Sequence, residues 1–435
     1  MMMNQAEMMA RHGLKEWMNE TNHVLNKLSY SIQKLIEDEQ GEDEQIVAYI
    51  ESLQNEEGPW NSVGQEQLFN PKTEELPYYA FDAYIRGIVR WMNELGMMTS
   101  MCCDGHGERH AYVEMDGFLT DRQMHVLNLS VPSDSAVRVR FRKSSRRHTV
   151  LFDYSQTERK ALLDIAEMLF KMSSDERYIQ MLETERFKHR LLDWLEVPGE
   201  SGREQKVRRR LASSLRKFTD EQQIDETGNL LASVRYGEGP TILLSAHMDT
   251  VERITRGRVI QQEGTILTSS EGILGADDRA GIAAVFELLE RLPMTRFSGT
   301  IKVAFTVEEE TGLCGARGID QQFIRDVDAA IVLDRRGTRD IVTGCRGTFD
   351  FCEASYGELF ERAGRVAGMQ DWKATRNGGS SDAKVFAEFG VPSVNLSIGY
   401  LDEHTDLEQV DYRATFETVL LVETFLGRQL IQQSM

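Results

Sequence analysis

The sequence has few cysteines, few prolines and no long apolar run. Its 435 residues include five cysteines and eight prolines. An odd number of cysteines scattered through a large chain argues against a disulfide framework and fits a reducing cytosol. No stretch approaches the roughly 18 uninterrupted apolar residues of a transmembrane helix, and the N-terminus lacks the charged-then-apolar order of a secretory signal. We therefore expect a cytoplasmic protein without a membrane partner.

The sequence also lacks an excess of positive charge, since its formal net charge at pH 7 is −20. Affinity for a phosphate backbone comes mainly from Lys and Arg, so this balance argues against nucleic-acid binding. Hydrophobic residues make up 41% and charged residues 28% of the chain, which is ordinary for a globular protein. The length predicts two or three domains.

The pattern of apolar residues changes along the chain and predicts three parts. Residues 1–75 have an acidic composition and apolar residues at the helical period, which indicates an N-terminal helical segment. Residues 76–180 combine helical and strand patterns, which indicates a small α+β domain. In residues 181–435 short apolar strands alternate with helices, as is typical of a layered α/β domain.

Histidines and carboxylates follow several apolar strands of the third part. Beyond residue 190 the chain has only two histidines, and the carboxylates at comparable positions form small groups. The set is His247, Asp249, Asp277, Asp278, Glu308, Glu309, Glu310, Asp334 and His404. Because open α/β sheets bind ligands at the carboxyl ends of their strands, we expect these side chains to converge.

Imidazole and carboxylate together suit zinc and its neighbours in the periodic table. A bridging carboxylate can hold two cations about 3.5–4 Å apart, and a water between them becomes a nucleophile near neutral pH. A further carboxylate must then accept the proton of that water. Each group alone has a structural interpretation, such as a helix N-cap for an Asp-Asp pair. Packing alone explains the combination poorly, and a two-metal hydrolase explains it well.

Several segments, in order, resemble the motifs of the dinuclear zinc exopeptidases, and the most similar branch is the tripeptidase, or peptidase T-like, group. They are residues 245–251, 274–281, 307–313 and 395–405, with 378–383 similar to that branch's substrate-side loop. The resemblance covers about residues 187–435. It implies a three-layer α/β/α core with a mixed sheet and metal-dependent hydrolysis of peptide bonds. It also implies two divalent metal ions per chain, zinc first, with cobalt or manganese as alternatives.

The resemblance assigns a metal ligand to each matching position. His247, Asp277 and Asp334 would hold one metal. Asp277, Glu310 and His404 would hold the other, with Asp277 bridging the two ions.

The same resemblance makes Glu309 the general base and Asp249 the residue that orients the imidazole of His247. The family pattern is Glu-Glu, one residue, then Gly, and its glycine matches Gly312. This match sets the register within the glutamate triplet. The resemblance further implies a cis peptide bond after Asp277.

The sequence departs from this branch in one respect, because relatives insert a lid or dimerisation domain between the third acidic ligand and the last histidine. Here Asp334 and His404 are only 70 positions apart. We therefore expect a core without the inserted lid. A two-metal site open to water would bind peptides weakly, so we also expect residues 76–180 to cover part of the cleft.

The metal core by itself leaves the substrate open, because one fold can serve several reactions. The first hypothesis is removal of N-terminal residues from small peptides. An N-acyl amino acid amidohydrolase or a carboxypeptidase is the alternative, and the non-enzyme hypothesis is a peptide-binding module with a silent hydrolase core. Candidate substrate contacts are Arg336, Arg346, Ser380 and Ser381. A homo-oligomer is a further possibility that the sequence leaves open.

Overall fold

The computed structural model describes residues 83–103, 110–132, 135, 137–153 and 160–430. The chain divides into two compact units, Met1–Glu183 and Thr184–Met435. The predicted N-terminal helical segment, residues 1–75, lies outside the described residues.

The first unit contains a four-stranded antiparallel sheet with the strand order β1-β2-β4-β3. In β2 every second side chain, Ala111, Val113 and Met115, is buried, as expected for a strand with one face on a core. The elements are α1 (Ala83–Glu94), β1 (Thr99–Cys103), β2 (Ala111–Met115), α2 (Asp121–Leu129), β3 (Arg138–Lys143), β4 (His148–Asp153) and α3 (Lys160–Ser174). Helix α4 (Glu176–Leu195) then includes the boundary between the units.

The second unit is built on an eight-stranded mixed sheet with the strand order β15-β12-β16-β11-β7-β10-β6-β5. A smaller antiparallel sheet has the order β17-β18-β9-β8, and β13 pairs with β14. The strands are β5 (Glu221–Ile224), β6 (Leu230–Arg235), β7 (Thr241–His247), β8 (Ile260–Glu263), β9 (Ile266–Ser269), β10 (Thr300–Thr306), β11 (Ala329–Arg335), β12 (Asp340–Val342), β13 (Gly344–Cys345), β14 (Phe349–Asp350), β15 (Lys373–Thr375), β16 (Ser393–Ser397), β17 (Tyr400–Leu401) and β18 (Gln409–Asp411).

Helices cover both faces of the large sheet. Along β7, Ile242 and Leu244 belong to one apolar cluster and Leu243 to another, because successive side chains point to opposite faces. This arrangement confirms the predicted α/β fold with a mixed sheet between helical layers. The helices are α5 (Gln205–Leu215), α6 (Ala276–Arg291), α7 (Cys314–Arg317), α8 (Gln321–Ile324), α9 (Ala354–Val366), α10 (Asp382–Glu388) and α11 (Tyr412–Gly427), with a 3-10 turn at Leu292–Met294.

The central strands determine where polar side chains gather. Strand β7 lies between β10 and β11 and is parallel to both, so the carboxyl ends of the three strands lie at one edge of the sheet. Thr306, the last residue of β10, pairs directly with His247, the last residue of β7. The strands themselves are almost wholly apolar because both faces of the sheet are covered. The polar side chains that could bind a ligand or a metal therefore lie at the ends of these strands.

Helix α6 packs closely against β11 because Gly281 has no side chain. A methyl group at Gly281 would lie 2.2 Å from the carbonyl oxygen of Leu333 and 2.4 Å from a carboxylate oxygen of Asp278. These separations are too short for any Cβ atom. The glycine thus brings the first turn of α6 beside the end of β11, next to Asp334.

The interval between Asp334 and His404 forms strands β12–β17 and helices α9 and α10, all within the second unit. No further compact unit interrupts the described residues of this interval. The expected core without an inserted lid domain stays a prediction.

Candidate metal centre

The five predicted metal ligands come from separate elements that meet at the carboxyl edge of the large sheet. His247 ends β7, Asp334 lies near the end of β11, and Glu310 follows β10. Asp277 lies in the first turn of α6, and His404 lies in the loop between β17 and β18. All but His404 have largely buried side chains, and the His404 side chain is 44% exposed.

The two oxygens of Asp277 face two different imidazoles. Its Oδ1 lies 2.9 Å from Nε2 of His247, and its Oδ2 lies 3.2 Å from Nε2 of His404. Asp334 Oδ1 lies 3.5 Å from the same nitrogen of His247, and Glu310 Oε2 lies 2.8 Å from that of His404. The structure therefore brings all five side chains together, with Asp277 next to both imidazoles; their division into two ligand sets stays a prediction.

The donor set carries more negative charge than its imidazoles can balance. Burial and then the charge of Asp334 raise the pKa of Glu309 to about 10. Burial and then the charge of Asp277 raise the pKa of Glu310 to about 7. Hydrogen bonding to Asp277 is the largest of the effects that raise the pKa of His404, to about 9. Divalent cations would relieve this repulsion, so the chemistry of the donor set fits a metal pair.

The imidazole of His247 and the carboxylate of Asp277 stabilise each other in their charged forms. Burial lowers the pKa of His247, but hydrogen bonds to Asp249, Asp277 and Asp334 outweigh it and raise that pKa well above its usual value. Burial raises the pKa of Asp277, but hydrogen bonds from His247 and His404 outweigh it and lower that pKa. Both groups thus offer positions that a cation can take over from a proton.

Asp278 is adjacent to Asp277 and is the other carboxylate that could be considered as the bridging ligand. Its oxygens lie within ligand range of His247 and Asp334, but they accept backbone N–H groups of His247 at 3.2 Å and Gly281 at 2.8 Å. Asp278 therefore fastens the start of α6 to the end of β7, whereas Asp277 faces both imidazoles. The peptide bond between the two aspartates is cis, which confirms that expectation from the resemblance.

Asp249 hydrogen-bonds both the imidazole of His247 and the backbone of the two adjacent glutamates. Its Oδ1 lies 3.2 Å from Nδ1 of His247, the ring nitrogen that points away from Asp277. The same carboxylate accepts the backbone N–H groups of Glu309 at 3.1 Å and Glu310 at 3.2 Å. Ser201 Oγ donates to its other oxygen at 2.7 Å. Asp249 thus fixes the ring of His247 and the two glutamates together, and Ser201 is a contributor that the sequence pattern did not reveal.

The two adjacent glutamates have different surroundings. Glu310 contacts His404, as described above. Within the described part of the chain, no hydrogen bond or ion pair reaches the carboxylate of Glu309, although it lies in the field of Asp334, His247 and Asp382. A carboxylate near this donor set but without a fixed partner is able to exchange a proton.

Two further residues hold Asp334. Tyr400 donates its hydroxyl to Oδ1 of Asp334 at 3.0 Å. The side chain of Asn395 makes reciprocal hydrogen bonds with the backbone N–H and carbonyl of Asp334, each 3.0 Å long. Both belong to the segment 395–405 that carries the resemblance. That segment was the only signal in the sequence for their role.

The predicted substrate contacts differ in their exposure and in their partners. Arg336 is half exposed and lies 3.3 Å from a carboxylate oxygen of Glu403. Arg346 and Ser380 are exposed, while Ser381 is buried and its hydroxyl has no hydrogen-bond partner among the described residues. Beside it, Asp382 accepts a 2.6 Å hydrogen bond from Thr306, the residue paired with His247 in the sheet.

Part of the second unit is similar to a known peptidase family. Residues 229–418 match the model of peptidase family M28. A protein of Bacillus subtilis (strain 168) described as uncharacterized, YqjE, is 32% identical over 157 residues, which are 33% of this chain and 42% of that protein. A peptidase T-like protein of Yersinia pestis is 40% identical over 74 residues, 17% of this chain and 18% of that protein. The chain thus spans less than half the length of these curated relatives.

The fold has solved counterparts. The crystal structure of the aminopeptidase PepT from Bacillus cereus ATCC 10987 matches with a TM-score of 0.51 and 21% identity, covering 56% of this chain and 98% of that chain. At this identity the likeness concerns the fold. Among the described residues, no helix is long and apolar enough to cross a membrane.

Proposed function

We propose that the chain is a zinc exopeptidase that hydrolyses peptide bonds and removes N-terminal residues from small peptides, and the match of residues 229–418 to peptidase family M28 supports this. The proposed ligands are His247, Asp277 and Asp334 for one ion, with Asp277 bridging to a second set. Glu310 and His404 complete that second set. Zinc is the proposed metal, with cobalt and manganese as alternatives.

One observation carries this proposal: the carboxylate of Asp277 lies between two imidazoles that point at its two oxygens, at 2.9 and 3.2 Å. A structural aspartate at a helix start would instead satisfy backbone N–H groups, as its neighbour Asp278 does. The side chain of Asp277 is thus turned away from the helix and toward the shared donor set. This arrangement supports a bridging ligand.

The residues around the donor set supply the remaining chemistry. Bound divalent ions would polarise the scissile carbonyl and lower the pKa of a water between them. Glu309 accepts a proton from that attacking water and delivers it to the departing amine, so the carboxylate ends the cycle ionised. Asp249 holds the imidazole of His247 and the backbone of Glu309 in fixed positions while this happens.

The charge around the site favours a substrate with a free N-terminus. A protonated α-amino group would be drawn to the carboxylates gathered at this edge of the sheet. A substrate carboxylate would need a cation, and of the two candidate arginines Arg336 already pairs with Glu403 at 3.3 Å. The gathered carboxylates favour an aminopeptidase, and the exposed Arg346 is the remaining candidate for binding a substrate carboxylate.

The proposal is tested with Leu-Gly-Gly, two of its derivatives and N-acetyl-leucine on the zinc-loaded full-length protein. Leu-Gly-Gly and its C-terminal amide should both release leucine, whereas N-acetyl-Leu-Gly-Gly should not. The matched control is the Glu309→Gln variant, which should release leucine about 10²–10⁴-fold more slowly. Release of C-terminal glycine would favour a carboxypeptidase, and release of acetate from N-acetyl-leucine would favour the amidohydrolase. Either result would overturn the proposed N-terminal cleavage.

A further inference from the structure

Glu408 is a buried carboxylate that the proposed reaction does not use. It is 2% exposed and lies four residues after His404, at the end of the loop that leads into β18. Its Oε2 accepts the backbone N–H of Gly275 at 2.6 Å, and its Oε1 accepts that of Asp277 at 3.0 Å. Both oxygens are therefore committed to the turn that presents Asp277.

The surroundings of Glu408 keep this carboxylate in place. The backbone N–H groups of Gly275 and Asp277 point at it from the turn that precedes the regular part of α6, because Asp277 and Asp278 have non-helical backbone angles. Two buried arginines, Arg258 and Arg279, add positive charge that acts on Glu408. An apolar side chain would fill the same space but would leave the buried N–H groups of Gly275 and Asp277 without these acceptors.

The position of Glu408 couples two segments that carry ligands. Its backbone N–H donates to the carbonyl of Thr405 at 3.1 Å, which closes the turn directly after His404. Its side chain meanwhile holds the backbone of Asp277, whose Oδ2 lies 3.2 Å from the His404 imidazole. One residue thus ties the turn of the terminal histidine to the turn of the shared aspartate.

We propose that Glu408 is a positioning residue for the second metal site. It holds the turn of Asp277 against the loop of His404, and this arrangement brings the ligands of the second ion together. This inference rests on the proposed function, because it takes Asp277, Glu310 and His404 as ligands. Residues that orient metal ligands typically contribute about 10–100-fold to metal affinity. The loss of Glu408 should therefore lower the affinity for the second ion by about that factor.

The test is a Co2+ titration of the metal-free full-length protein, followed by the visible absorption of bound cobalt and by thermal unfolding. Wild type should bind two ions. Glu408→Ala should bind the second about 10–100-fold more weakly, and Glu408→Gln should fall between the two because its amide keeps one acceptor oxygen. The matched control is Glu287→Gln, since Glu287 is equally buried near the far end of α6 and pairs with Arg190. It should lower the Tm and leave both cobalt affinities unchanged.

A purely structural role gives a different result. If Glu408→Ala lowers the Tm but binds both ions as tightly as wild type, Glu408 only caps the helix and the inference is wrong. If the alanine variant does not fold, the glutamine variant decides by the same criterion. If wild type itself binds fewer than two ions, the two-metal function fails, and the positioning role fails with it.

Discussion

Glu309 and Glu310 are adjacent in sequence, and replacing each with glutamine should have opposite consequences. Glutamine keeps the volume of glutamate but cannot accept a proton as a carboxylate does. Glu310 lies 2.8 Å from the imidazole of His404, so its charge belongs to the donor set. The carboxylate of Glu309 lies near the same donor set and has no hydrogen bond or ion pair with any described residue, so it is available for proton transfer.

The size of each effect follows from these surroundings. Glu309→Gln should keep both metals and lower kcat by about 10²–10⁴-fold, the usual contribution of a general base. This corresponds to about 2.7–5.4 kcal/mol of transition-state stabilisation. Glu310→Gln should lower the affinity for one ion, because an uncharged amide replaces an anionic ligand. The turnover of this variant should recover in part when excess metal is added.

The assay combines metal content after dialysis with kcat on one tripeptide, measured with and without excess zinc. The refuting result is the reverse pattern. If Glu309→Gln loses an ion while Glu310→Gln keeps both ions and loses turnover, the register within the triplet is wrong by one residue. Equal metal content and equal kcat in both variants and wild type would refute the assignment of either role.

Three further predictions concern packing, pH and the first part of the chain. Gly281→Ala should lower the free energy of unfolding by about 1–3 kcal/mol, because its methyl group would lie 2.2 Å from Leu333 O; an unchanged Tm would contradict this close packing. In the metal-free protein the raised pKa values of Glu309 and Glu310 mean that the folded state binds more protons than the unfolded state above about pH 4.5. The Tm of the chelated protein should therefore fall as pH rises toward about 10, which is the pKa of Glu309 in the folded state. A Tm that rises over this range would contradict the prediction. The expectation that residues 76–180 cover the cleft stays a prediction: a chain of residues 181–435 should have a lower kcat/KM on peptides, and an undiminished value for every peptide would refute it.

The ligand positions could be predicted from sequence because they follow from order along the chain. Apolar strands that end in a histidine or a carboxylate predict a polar edge of a parallel sheet, and His247 and Asp334 lie at that edge. The assignment of Asp277 over Asp278 came from the resemblance, since two adjacent aspartates are equivalent in composition and differ only in the direction of their side chains.

The supporting residues could not be predicted, because their partners are distant in the chain. Ser201 contacts Asp249 across 48 positions, and Glu408 contacts the backbone of Asp277 across 131. Neither serine nor glutamate at such a position has a local signature, since each resembles an ordinary loop residue. The substrate contacts Arg336, Arg346, Ser380 and Ser381 stay predictions, because their direction depends on a bound peptide.

The most direct test of the two-metal account is elemental analysis of the full-length protein and of Asp277→Ala, each dialysed after exposure to excess zinc. If Asp277 bridges two ions, wild type should retain two per chain, and the variant should lose tight binding at both positions because each donor set includes this carboxylate. Wild type that retains a single ion, with no second site under excess zinc or cobalt, would contradict the account.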